Sequence, residues 1–430
     1  MPALSLKQGI ALGLYRLALP LLKPLALKKL RKGATQAFAD TARAREAERL
    51  GQVPAELKPG GVMVHGASVG EILAAKPLLQ QMQSHAAFSP LTITCMTATG
   101  SEQITQAFDA QHCFMPLDFP SAVDACLDKL APRALIILET EIWPNLMHAC
   151  AKRQIPVYII NARLSPSNFN TYTKIRALIA PALATVAEVW AQSDADADKF
   201  RQLGATNVIT QGNLKFDIRF PATLDSQTAE FKALLGDSRP IWLAASTHPG
   251  EEEQVLAAHK QLLQHNPRAL LILVPRHPQR FDQVAELVIS EGLTLARRSH
   301  NQSVADEQVL LIDAMGELLA WFGLCPVSFI GGSLVDVGGH NPIEAVVRDS
   351  LPITGPVRYN FDFVYPQLLE NKGAIEVNNS QQLAQTVSEL WGDDTRRADM
   401  LIAANTEISR HQGVLERTLQ GLVDKLATRD

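Results

Sequence analysis

Short runs of Val, Ile and Leu alternate with amphipathic stretches along nearly all of the chain after residue 50, and this alternation limits the fold more than any other feature. Strands are expected at 61–65, 91–96, 134–140, 156–160, 187–192 and 207–210, and in a second series at 241–246, 269–274, 309–312, 327–331 and 351–354. Helical patterns such as EILAAKPLLQQMQ, FDQVAELVIS and NPIEAVV lie between them. Strands that are apolar on both faces and separated by helices belong to parallel sheets covered on both sides. Two series therefore imply two doubly wound α/β domains, and 430 residues suffice for them. The break falls at RFPATLDSQ, residues 219–227, where Pro221 and polar residues interrupt the pattern. The last stretch, about 396–425, reads as one helix with no strand after it.

Charge is unevenly placed. Lys7, Arg16, Lys23, Lys28, Lys29, Arg31 and Lys32 put +7 into residues 1–32 with no acid; the net charge is −4, so the remainder carries −11. Between these cations, GIALGLYRLALPLLKPLAL repeats leucine at helical spacing but is interrupted by Arg16, Lys23 and Pro20. A spanning helix wants about 20 largely uncharged apolar residues, so the segment reads as a basic amphipathic helix for a membrane interface. Its basic flank would put the globular part on the cytoplasmic side. The bland alternative is a surface helix packed on its own domain. The negative net charge argues against nucleic acid as a partner. Five scattered cysteines (Cys95, Cys113, Cys126, Cys150, Cys325) argue against a disulfide framework and for a reducing compartment.

Ligands of doubly wound sheets lie beyond the carboxyl ends of the strands, and the polar corners of this sequence fall there. In HGASVGE, Ser68 and Glu71 have the spacing of a capping box, in which each satisfies a backbone N–H at a helix start. Glu71 could equally be a carboxylate placed to take a proton. LETEIWPN sets Glu139 and Glu141 two residues apart, on one face of a strand end. TATGSE, with Ser101, and NARLS, with Arg163, are corners of the same kind, and Arg163 suits an acceptor phosphate. QGNLKFD places Lys215 and Asp217 at the end of the first domain's last strand.

In the second domain, FIGGSLVDVGGHNPIEA reads as strand, glycine-rich loop and helix, with Asn341 at the N-cap and Pro342 in the first helical position. The glycines allow backbone to approach an anion. Glu344 is either a capping carboxylate or a ligand for ribose hydroxyls. LAASTHPGEEE is a second such corner: Pro249 suits the first helical position, Ser246 could hold a phosphate, and the glutamates suit the helix dipole as structural residues. LVPRHPQRF brings Arg276, His277 and Arg280 to a strand end, either for an anionic ligand or as a solvated basic turn. DAMGELL offers Met315, Gly316 and Glu317. No cluster has metal-ligand spacing, and no G-x-S-x-G, Walker or G-x-G-x-x-G signature occurs.

HGASVGE, ETEIWPN, NARLS, QGNLKFD, PRHPQR and GGSLVDVGGHNPIEA occur in this order and together closely resemble the 3-deoxy-D-manno-octulosonic acid (Kdo) transferases of Gram-negative lipopolysaccharide synthesis, over about residues 1–425. The resemblance implies a GT-B fold: two Rossmann-like domains facing a cleft, plus an N-terminal membrane-associated helical segment. The expected boundaries are 1–34 for that segment, 35–220 for an acceptor-binding domain and 221–430 for a CMP-sugar-binding domain, the last helix being open to packing back on the first domain. It implies CMP-Kdo as donor, a lipid A precursor (lipid IVA) as acceptor, inversion at the anomeric carbon, no cofactor and no obligatory metal. Glu71 matches the general base. Arg276, Asn341 and Glu344 match donor-binding positions, with Ser246, Lys215, Met315, Gly316 and His277 as weaker matches. Ser68, Gly70, Ser101, Glu139, Glu141 and Arg163 fall on the acceptor side or are structural. Family members sit at the cytoplasmic face of the inner membrane. Competing readings are another GT-B enzyme using a UDP-sugar (a 2-epimerase or a lipid-A-type hexosaminyltransferase) and a glycolipid-binding protein without activity.

Overall fold

The structure, a computed structural model, describes residues 4–31, 45–218, 220–235, 239–300 and 304–427. Lys32, the expected start of the first domain over 35–44, and Arg219 in the expected break lie outside the described residues. Two compact units make up the chain: Met1–Asp217 together with Gly413–Asp430, and Ile218–Gln412.

The first unit is built on β1 (Val62–His65), β2 (Leu91–Cys95), β3 (Gln111–Phe114), β4 (Ala134–Leu138), β5 (Val157–Ala162), β6 (Glu188–Ala191) and β7 (Val208–Thr210). They form one sheet in the order β3-β2-β1-β4-β5-β6-β7, each neighbouring pair parallel. The second unit repeats the plan with β8 (Ile241–Thr247), β9 (Leu270–Pro275), β10 (Leu295–Arg297), β11 (Val309–Leu311), β12 (Val327–Ile330), β13 (Leu351–Thr354) and β14 (Ile375–Glu376). Its parallel order is β10-β11-β9-β8-β12-β13-β14. Winding reverses between β1 and β4 in one sheet and between β8 and β12 in the other. These reversals open a crevice at the carboxyl ends of the strands, where such sheets bind ligands.

The strands β3, β10 and β14 are absent from the expected list, and each is an edge of its sheet. An edge strand is short and covered on one side, so it lacks the continuous apolar run of a buried neighbour; in β10 only Ala296 is buried. The expected helix over 396–425 is two helices, Asp394–Arg410 and Val414–Ala427, parted at Gly413 with its φ of +77°. The first belongs to the second unit. The other returns to the first unit and buries Val414, Leu415, Leu422 and Leu426 in the core beside Trp190. Each buried leucine there is worth about 2 kcal/mol over an exposed one. The Asp217 carboxylate accepts from the N–H groups of Gly413 and Leu415, each at 2.6 Å, so it anchors the start of that helix and favours its dipole.

The N-terminal helix, Leu6–Arg31, is docked on the first unit. Leu12 is buried, Tyr15 donates to Asp118 at 2.9 Å, and Arg16 donates to Asn145 at 2.7 Å. The opposite face carries Leu6, Ile10, Leu14, Leu17 and Leu21, which are 55–83% exposed. Among the described residues no helix is long and apolar enough to cross a membrane. All five cysteines are buried and free.

Candidate functional site

Each unit carries a polar cluster at its own winding reversal. In the first, β1 ends at His65 and the helix Val69–Ala74 begins after Ser68. The Ser68 hydroxyl accepts from the Glu71 N–H at 3.3 Å and donates to one Glu71 carboxylate oxygen at 3.0 Å. The other oxygen accepts from the Ala67 N–H at 2.7 Å. The expected capping box is therefore present, with Glu71 reaching one residue further back than the N-cap N–H. Burial pushes the Glu71 carboxyl up to about 7, and the carboxylates of Glu139 and Glu141 push the same way against its hydrogen bonds. A carboxyl poised near neutrality is suited to accept a proton from a hydroxyl. The capping geometry and the acid–base property reside in one side chain.

Glu139 and Glu141 follow β4, directly across the reversal from Glu71. Glu139 has a φ of +57°, an unusual conformation for a residue with a side chain, and its N–H bonds the Ile160 carbonyl at 3.0 Å. Burial raises its carboxyl while Lys215 and Arg163 oppose that shift. Burial also raises Glu141. Asn161, at a φ of +50°, accepts from the Leu214 N–H at 3.1 Å, while Asn213 donates to Gln192 at 2.8 Å. These buried amides tie the ends of β5, β6 and β7 together and hold Lys215 in the first unit, where its charge acts on Glu139. Gly70 is exposed at the helix start. Ser101 is buried, within 2.7 Å of His112 and accepting from Arg45 at 3.0 Å.

In the second unit the corner after β8 meets the loop after β12. A Cβ at Gly331 would lie 2.5 Å from the Ser246 carbonyl oxygen, so only glycine lets these two strand ends approach. Ser246 itself has a φ of +57°. Three N–H groups of the glycine-rich loop do not face an outside anion. Gly332, Ser333 and Leu334 donate to the buried Glu251 carboxylate at 2.7, 3.0 and 3.0 Å, and His248 adds a fourth N–H at 3.2 Å. Glu252, also buried, pairs with Arg280 at 2.7 Å, which commits that cation to structure. The helix here begins at Glu252, so Pro249 precedes it instead of occupying its first position.

Arg276 and His277 stand exposed after β9. His248 and His340 stack in parallel 5.1 Å apart, their Nε2 atoms separated by 2.8 Å. The Thr247 hydroxyl beside them is buried with no partner among the described residues. Asn341 accepts from the Ile343 N–H at 3.0 Å and donates to Glu344 at 3.2 Å. The helix proper is only Ile343–Val346, so Asn341 and Pro342 sit one place outside their expected positions. Burial raises the Glu344 carboxyl against Asn341 and Arg276. Met315 is 61% exposed after β11, next to Gly316 with its φ of +82°, while Glu317 is bound by Arg298 at 3.1 Å. Among the described residues no group of His, Cys, Asp and Glu is placed to hold a metal ion.

Sequence reading did not single out Glu251, His340, Asn161 or Asn213 as site residues. Their partners lie tens of residues away, and no local pattern marks them. The left-handed backbone at Glu139, Asn161 and Ser246 would have been the best pointer, and it is visible only in three dimensions.

Residues 44–218 match the family described as 3-deoxy-D-manno-octulosonic-acid transferase (kdotransferase). The chain is 37% identical over 367 residues to the 3-deoxy-D-manno-octulosonic acid transferase of Haemophilus influenzae, covering 84% of this chain and 86% of that one. It is 33% identical over 430 residues to the enzyme of the same name from Bordetella pertussis, covering 96% and 99%. Among solved structures, the UDP-GlcNAc 2-epimerase of Neisseria meningitidis superposes with a TM-score of 0.57 over 86% of this chain and 100% of that one. At 15% identity this similarity speaks for the fold alone.

Proposed function

The chain belongs to the Kdo transferase family and is a glycosyltransferase of GT-B fold, and from that premise we propose that it transfers Kdo from CMP-Kdo to the lipid A precursor lipid IVA with inversion. The observation that carries the mechanism is the Glu71 carboxyl, lifted to about 7 at the winding reversal of the first unit. An acceptor hydroxyl is a poor nucleophile until a base takes its proton. Glu71 takes that proton as the oxygen attacks the anomeric carbon from the face opposite CMP. The bond from that carbon to the phosphate oxygen breaks, its electron pair leaves with CMP, and configuration inverts in one displacement. Arg163 is the cation of the acceptor side, and Lys215 is a donor-binding cation. Arg276, His277, Ser246, Asn341 and Glu344 hold the donor, with Met315 and Gly316 at its rim. Arg276 opposes the charge that builds on the leaving phosphate.

Product analysis with CMP-Kdo and tetra-acylated lipid A precursor tests this directly, and a Kdo-free product sinks the assignment. CMP is expected to stabilise the protein against heat and UDP is not; one hundred times its Kd gives about 2.7 kcal/mol. Stabilisation by UDP alone would favour a UDP-sugar enzyme.

The N-terminal helix lies in the membrane interface at the cytoplasmic face of the inner membrane. Support comes from the exposed stripe of Leu6, Ile10, Leu14, Leu17 and Leu21 on the face opposite its docking contacts, with Lys7 beside it. Leu14→Ser with Leu17→Ser is expected to weaken sedimentation with anionic phospholipid vesicles about tenfold or more. Unchanged sedimentation would leave this helix a packing element only.

A further inference from the structure

Two histidines meet at the reversal of the second sheet. Nε2 of His248 and Nε2 of His340, 2.8 Å apart, can bond only if one carries a proton and the other does not. Tyr365 fixes the His340 backbone by donating to its carbonyl at 3.2 Å, and the His248 N–H is held by Glu251 at 3.2 Å. The ring of His277 stands edge-on to His248 at 5.3 Å. Arg276 and Arg280 are the other charges acting on the pair from the loop after β9, Arg280 being offset by Glu252. Glu251 faces the pair from its own corner, and the glycine loop and its neighbours also carry Asp336, Glu344 and Arg358. Beside the pair are the Thr247 hydroxyl, which has no partner among the described residues, and the left-handed Ser246.

We propose that the His248–His340 pair takes up one proton when the CMP-sugar phosphate arrives and so presents a cation to the leaving group. This rests on the reading of the second unit as the donor-binding one. Without an anion, burial and the surrounding cations keep both rings neutral, His340 being pushed down to about 4. A phosphate against Arg276 reverses the local field and makes the protonated pair favourable. Charge is thereby added only when the donor is bound, so the empty site does not carry a buried cation without a counter-ion. The sign follows from linkage: proton uptake on binding means that CMP affinity strengthens as pH falls from the bound-state value toward the free-state one.

The test is calorimetric titration of CMP into the full-length protein in two buffers of different ionisation enthalpy, at pH 8.5 and 6.5. Wild type is expected to take up a proton at the lower pH and to gain about tenfold in affinity between the two, which requires the bound phosphate to lift the pair's hold on its proton from the free-state value into this pH window. CMP's own phosphate ionises at about 6, and the variants His248→Gln and His340→Gln carry that contribution unchanged. In each variant the uptake and the affinity gain should both vanish, leaving only the weakening that protonation of CMP's own phosphate causes, while binding at pH 8.5 stays within about twofold of wild type because both rings are neutral there. A merely structural role would lower affinity equally at both pH values, and that result overturns the proposal. Zero uptake by wild type, or uptake that persists in both variants, overturns it as well. No CMP binding by wild type sinks the donor reading, and this proposal with it.

Discussion

Glu71→Gln is expected to lower turnover by about 10²–10⁴-fold, the usual worth of a general base, while CMP affinity stays at the wild-type level. Gln is accepted in a capping box: its oxygen can keep the Ala67 N–H while its NH₂ donates to the Ser68 hydroxyl, where the carboxylate oxygen had accepted. It cannot take a proton. The pH profile adds a second readout. With the carboxyl near 7, the base is mostly protonated at pH 6 and mostly ionised at pH 8, so kcat/KM should rise with pH through about 7 and then level. The residual rate of the variant should lack that limb. Stability moves the other way. A carboxyl whose folded value is raised favours the folded state below its unfolded value and loses that contribution as pH rises through the folded one. The neutral amide escapes this loss, so at pH 8 the variant should melt at or above the wild-type temperature. Near-normal turnover would reduce Glu71 to a helix cap.

Glu251→Ala should be the most damaging substitution outside the reacting groups. Four backbone N–H groups, those of the buried His248, Gly332 and Ser333 and the half-buried Leu334, lose their acceptor. Each buried N–H left unmade costs about 1–3 kcal/mol, comparable in sum to the whole stability of many domains. The expected result is failure to fold, or a lowered Tm with no CMP binding. Glu251→Gln separates the charge from the geometry. It keeps one oxygen, but its NH₂ must confront two N–H donors whichever way the amide turns. It should therefore fold with a reduced Tm and a loosened loop, seen as weaker CMP binding. A Tm within a degree of wild type for the alanine variant would show that the loop is organised by something else.

The interior strands were legible because burial on both faces leaves a continuous apolar run, and the corners were legible because Gly, Pro and capping residues act over three or four positions. Hence HGASVGE, ETEIWPN and PRHPQR fall at strand ends in the sequence pattern and in the fold alike. The failures share a cause as well. Edge strands β3, β10 and β14 have one neighbour instead of two, so their patterns are short and mixed. The corner glutamates of LAASTHPGEEE suit a helix dipole from sequence, yet Glu251 turns into the glycine loop more than eighty residues away.

Sequence alone thus determined the two-sheet plan, the family and the positions at which chemistry can stand, since period, turn chemistry and motif order are short-range properties of the chain. Tertiary structure decided the rest: which carboxylates cap, which are buried far enough to hold a proton at neutrality, which anion fills the glycine loop, and that His248 meets His340. Those outcomes depend on desolvation and on charges brought close by folding, and neither can be read from neighbours along the chain.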